Sequence, residues 1–290
     1  MIDIIVQTLV SGIFTGALYG LAAVGLSLVF GVMRILNVAH GELLMVGGYV
    51  GFYLFALYGI DPFLGLPLAA IAVFLIGMVL YKLLFSRTIK FHEELKLKNS
   101  LLIGFGLVLI FHQVGHLLFT TDERAIAPFY AGSAFEVLGT RFAYIPLGGL
   151  IVALVVVLAL HLLLSKTYFG KSVRATAQDW EAASLMGINI DRTYLLSFAL
   201  AAAIAAIAGP LLAASQAITP CIGLPWTMKA LIVVVLAGMG RVGGAFFAGL
   251  LLGVVESVSA IFIGPYVMVV GLVMFLLIMM FRPQGLFQRR

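Results

Sequence analysis

Arg34-Ile-Leu-Asn-Val-Ala-His-Gly-Glu42 sets a guanidinium, a carboxamide, an imidazole and a carboxylate between two long apolar runs. Ionisable groups near a membrane interior are costly and face a cavity or a partner. His40 and Glu42 have the chemistry of a proton relay, and Asn37, His40 and Glu42 that of a polar route. Gly41 points instead to a helix break between them. The alternative is a short turn whose charges reach water. Two further charges, Lys229 and Glu256, fall inside apolar runs. Glu256 sits mid-run and should face protein or water, whereas Lys229 can snorkel outward. Pore lining and ion pairing both fit them. His112 and His116 have the spacing of metal ligands but no third ligand, and an interfacial pair near Thr120 fits better. His161 also reads as interfacial. A single cysteine, Cys221, excludes a disulfide framework and a thiolate metal cluster. No nucleophile–base set stands out, and no GxxxxGK[ST] loop occurs. These features predict no enzyme, no catalytic residue, no metal and no cofactor.

The elements that must carry these groups are membrane helices. Hydrophobic residues make up 63% of the chain and charged ones 10%, with mean hydropathy +1.19. A soluble domain carries about 25% charged residues. Apolar runs fall at 4–33, 38–60, 63–85, 100–119, 143–164, 193–215, 226–239, 244–263 and 266–281. About 20 apolar residues cross a bilayer, so the expected fold is all-α and polytopic, with about eight to nine transmembrane helices. The first run is long enough to be tilted or kinked, and 226–239 is short enough to be a half-span. Met1-Ile2-Asp3 has no basic n-region, so the first run reads as a retained span. No linker divides residues 1–290, which read as one domain.

Charge orients the runs. All the basic residues except Arg124, Arg141 and Lys229 fall in loop 82–99, loop 165–192, the tail after 281, or at Arg34 and Arg241. An odd number of crossings puts these segments on one face, which the positive-inside rule makes cytoplasmic. The N-terminus and loop 120–142 are then extracytoplasmic. The net charge of +5 belongs to span ends, not to a nucleic-acid surface. Gly12, Gly16 and Gly20, with Gly47 and Gly51, and Ala245, Gly249 and Gly253, form small-residue stripes that pack helices or flank a pathway. Breaks are expected at Gly31, Gly41 and 238–244.

Residues 178–192 are polar between two apolar runs, so they lie in water. Asp179 and Glu181 suit a helix N-terminus, and Gly187 suits its end. The segment reads as a helix of about two turns, too short to stand alone. It rests either on the membrane surface or on a partner, with an apolar, small-residue face docked.

Glu181-Ala182-Ala183 followed by Gly187 resembles the EAA signature of ABC importer permeases. The signature's Ile-x-Leu-Pro continuation is missing, and position 197 is Ser. Leu36–Glu42, Ala183–Arg192 and Arg282-Pro-Gln-Gly-Leu-Phe287 resemble motifs of the branched-chain amino acid (LivH-type) permease family. The resemblance implies a type II-like importer permease fold, with 165–192 as the cytoplasmic coupling loop. It implies that Asp179, Glu181, Ala182, Ala183 and Gly187 meet an ATPase. It also implies four partners: a LivM-like paralogous permease, two ATP-binding subunits and an extracytoplasmic substrate-binding protein. The setting would be a bacterial inner membrane, with cargo moving by alternating access. Related systems carry aliphatic amino acids, urea, amides or aromatic acids. The expected route runs past Asn37, His40, Glu42, Lys229 and Glu256. The competing class is a stand-alone transporter or channel using His40, Glu42 and Glu256.

Overall fold

The computed structural model describes residues 2–89, 93–137 and 139–287. Lys90, Arg289 and Arg290, three of the basic residues that sort the loops, lie outside these. The elements follow the apolar runs. In order they are α1 (Ile2–Met33), α2 (His40–Tyr58) and α3 (Pro62–Leu80), which continues through a π turn into α4 (Ser86–Thr88). Then come α5 (Glu93–Phe119), a hairpin of β1 (Ala134–Val137) and β2 (Thr140–Ala143), and α6 (Tyr144–Lys166). α7 (Tyr168–Gln178) and α8 (Trp180–Leu185) are short. α9 (Ile190–Ser215), α10 (Gly223–Ala237), α11 (Val242–Ile263) and α12 (Val267–Phe281) complete the chain.

Among the described residues, seven helical stretches are long and apolar enough to span: Ile5–Met33, His40–Tyr58, Pro62–Thr88, Glu94–Phe119, Tyr144–Lys166, Ile190–Ser215 and Val242–Ile263. α10 and α12 have 15 residues each. At 1.5 Å per residue that is about 22 Å, short of a ~30 Å hydrocarbon core. The first run is one continuous helix, and Gly31 lies inside it rather than at a break. The break at 238–241 is real, with Gly238 and Gly240 at positive φ.

Lipid offers no hydrophobic drive between helices, so close packing of small residues must hold them together. The α1 stripe of Gly12, Gly16 and Gly20 packs antiparallel against Gly253, Gly249 and Phe246 of α11. A Cβ at Gly16 would lie 2.8 Å from the Gly249 carbonyl and the Leu250 backbone. Gly47 and Gly51 of α2 pack on Ala206 and Pro210 of α9, which is largely buried. The stripes are therefore packing faces.

The two ends of the bundle differ. At one end Phe30, Arg34, Glu94, Ala177, Gly240 and Gln284 help line a cavity of about 720 Å³. The end of α1, the start of α5, the end of α7 and the break before α11 thus meet here. The tail is pinned at the same end. Leu286 N–H donates to Leu236 O at 2.8 Å, and Arg241 donates to the Phe287 carbonyl. At the other end the Gln7 side chain bonds the Arg141 backbone, and Arg124 bridges Ile218. There Tyr130 donates to Asp61 at 2.6 Å, and burial with that carboxylate raises the phenol above its usual pKa range.

Candidate functional site

The chain leaves α1 through Arg34 in a left-handed conformation (φ 52°) and stays non-helical to Ala39. It does not turn outside the bundle. His40, the first residue of α2, places its Nε2 3.0 Å from the Ala22 carbonyl, deep along α1. Ala22 is eleven residues before Met33, about 16 Å along the helix axis. Asn37, His40 and Glu42 are all buried. The surface-turn alternative therefore fails for these three, although Arg34 is exposed.

α10 starts beside α2. Gly41 N–H donates to Thr227 Oγ1 at 2.8 Å. A Cβ on Gly41 would strike the Gly223 carbonyl, and one on Gly223 would strike the Glu42 carboxylate. Gly41 therefore lies in the first turn of α2 as a contact residue, not as the expected helix break. Two helix N-termini meet here, and neither has a side-chain cap. The Glu42 carboxylate lies against the α10 end.

Glu42 is 0% exposed, and among the described residues neither carboxylate oxygen meets a hydrogen-bond donor. Its nearest basic atom is His112 Nε2, 3.6 Å away. His112 sits seven residues inside the end of α5, beside the His116 ring, and faces a carboxylate. His116 Nε2 lies 3.5 Å from Cys221 Sγ. The signal for His112 was present as an imidazole well inside an apolar span, which calls for a polar partner. Among the described residues, no three His, Cys, Asp or Glu side chains group to hold a metal ion.

The second charged pair is closed. Lys229 Nζ of α10 lies 2.6 Å from Glu256 Oε2 of α11 and 2.5 Å from the Tyr19 hydroxyl of α1. That hydroxyl donates to Glu256 Oε2 at 2.9 Å, and Trp226 packs edge-on against the Tyr19 ring. Lys229 does not snorkel outward, because a buried carboxylate inside offers it a partner. Of the five expected pathway residues, the structure joins Lys229 to Glu256, sets Glu42 against the α10 start and buries Asn37 and His40, the latter on the Ala22 carbonyl.

The polar segment 178–192 folds as its ends predict. Asp179 Oδ1 accepts from the backbone N–H of Glu181 at 2.9 Å and of Ala182 at 3.0 Å. The helix covers six residues and stops where Gly187 adopts φ 83°, a conformation that favours glycine. Ile188 N–H then bonds back to Ala183 O at 3.1 Å. Ala183 is buried in the chain's own body, whereas Glu181, Ala182 and Ser184 stay exposed. What faces out is large and apolar: Leu185 is 88% exposed, Met186 83% and Trp180 54%.

Residues 8–280 match the family described as branched-chain amino acid transport system / permease component. The chain belongs to this family. It is similar to the high-affinity branched-chain amino acid transport system permease protein BraD of Pseudomonas aeruginosa, at 32% identity over 98% of this chain and 95% of BraD. It is similar to the permease protein LivH of the same kind of system in Escherichia coli K12, at 30% identity over 98% and 95%. A solved structure, PsaBC from Streptococcus pneumoniae in complex with Fab, shares the fold with a TM-score of 0.51. It is 15% identical and covers 94% of this chain and 91% of that one. The chain is thus a multi-span permease rather than an enzyme, and membership implies ATPase and substrate-binding partners and an inner-membrane setting.

Proposed function

We propose that the chain is the translocating subunit of an ATP-binding-cassette importer for branched-chain or related small amino acids. The observation that carries this reading is α8. A six-residue helix capped by Asp179 and stopped by Gly187 holds three large apolar side chains in the open, at the basic end of the bundle. Exposed apolar surface of this kind marks a docking site. We assign Trp180, Leu185 and Met186 as the anchors that enter a groove on an ATPase subunit. Asp179 and Gly187 fix their angle. The permease partner is a LivM-like paralogue, with two ATPases and an extracytoplasmic binding protein completing the importer.

The basic end is cytoplasmic in this reading, and the N-terminus and hairpin are extracytoplasmic. The crowding of basic residues at the α1, α5, α7 and tail ends supports that orientation. In a Cys221→Ser background, external maleimide should label Ser133→Cys and not Lys171→Cys. The reverse pattern would invert the topology.

The decisive variant is Gly187→Leu. Leucine at a positive φ costs about 1–2 kcal/mol and re-aims the anchors. Transport should be lost and ATP hydrolysis uncoupled, while membrane insertion persists. Full transport by this variant would remove the coupling role.

A further inference from the structure

The buried Glu42 carboxylate and the uncapped α10 end form an arrangement that import alone does not explain. Among the described residues Glu42 and Glu256 are the buried carboxylates, and Glu42 alone of the two has both oxygens without a donor. A buried charge is ordinarily neutralised or hydrogen-bonded. An unmet one calls for a ligand. The helix end against it carries no side-chain cap of its own, and because Pro225 has no N–H it offers the Gly223 and Leu224 N–H groups. The first N–H groups of a helix favour a negative partner. One acceptor that wants a cation therefore touches one helix end that wants an anion.

We propose that Glu42 and the N-terminus of α10 together form a binding site for a small zwitterion, an amino acid's own ammonium and carboxylate. The ammonium meets the Glu42 carboxylate, and the carboxylate meets the first N–H groups of α10. In this conformation the two complementary ends rest on each other and the site is closed. Cargo enters by parting them. The first turn of α10 can move for this purpose, since it follows non-helical residues at 217–222 and precedes the Lys229 pin to Glu256 and Tyr19. His112, half-buried and 3.6 Å from Glu42, stands between the carboxylate and the surface of α5. This rests on the importer reading and adds to it: the permease itself reads the ammonium and carboxylate, whatever the binding protein selects.

Cys221 is exposed and two residues before Gly223, so its reactivity reports on the α10 end. The test uses the detergent-purified permease–ATPase complex without binding protein, following maleimide labelling of this chain's single cysteine. L-Leucine at about twice its dissociation constant should slow labelling about threefold. Neither 4-methylpentanoate, which lacks the ammonium, nor 3-methylbutylamine, which lacks the carboxylate, should protect. Glu42→Gln should abolish protection by leucine. Equal protection by either analogue overturns the site, as does full protection of Glu42→Gln or no effect of leucine at all. The analogues decide the matter on the wild-type complex even if the variant fails to fold. If ATPase chains do not co-purify, the importer reading falls and this site with it. If they co-purify and labelling ignores leucine, only the site falls.

Discussion

Glu42 and Glu256 are the same side chain in the same kind of place, and the fold treats them differently. Glu256 accepts from Lys229 at 2.6 Å and from Tyr19 at 2.9 Å, so three helices close on one charge. Among the described residues none donates a hydrogen bond to Glu42, although it is the more deeply buried of the two. A carboxylate with its donors in place holds helices together, and one without them is kept for something that arrives. Membrane position alone does not separate the two cases; the hydrogen-bond inventory does.

The largest expected effect falls on the satisfied pair. Glu256→Ala leaves the Lys229 ammonium without its carboxylate, and loss of one partner of a buried pair costs about 3–5 kcal/mol. The melting temperature of the purified complex should drop accordingly, and adding Lys229→Met should restore most of it. A Glu256→Ala protein as stable as wild type would dissolve the comparison. Glu42→Gln should do the opposite. Removing an unpartnered charge leaves the melting temperature unchanged or raised, while uptake at matched expression falls at least about tenfold, or 1.4 kcal/mol. A variant that melts early and still transports would exchange the two roles. The smallest effect belongs to His112→Ala, which deletes a flanking imidazole rather than the acceptor. Uptake should fall roughly fivefold, or about 1 kcal/mol, with melting unaltered.

Part of this was legible in the residues. Run length and composition are local properties, so the helices and the crowding of basic residues at one end could be read directly. Asp179 and Gly187 marked the ends of α8 because capping is local too. The pairings could not be read. These spans are apolar on every side, and their small-residue stripes mark a packing face without saying which neighbour it meets. Lys229 and Glu256 are 27 residues apart and belong to different helices, and His112 lies on a helix far from Glu42 in sequence. The depth of 34–39 was hidden for a related reason. A polar break between two apolar runs looks the same whether it turns at the surface or folds back into the bundle. Gly41 was read as a break when its small size serves the contact with Gly223.

The central claim is that ATP hydrolysis by partner subunits, not an ion gradient through the chain's own His and Glu groups, drives import. The direct measurement is uptake of radiolabelled leucine into proteoliposomes that hold the assembled complex, with binding protein outside and ATP inside. Uptake should require internal ATP, ignore an imposed proton gradient, and disappear with Gly187→Leu while ATP is still hydrolysed. Uptake by this chain in the absence of ATPase subunits, driven by the proton gradient, would contradict it.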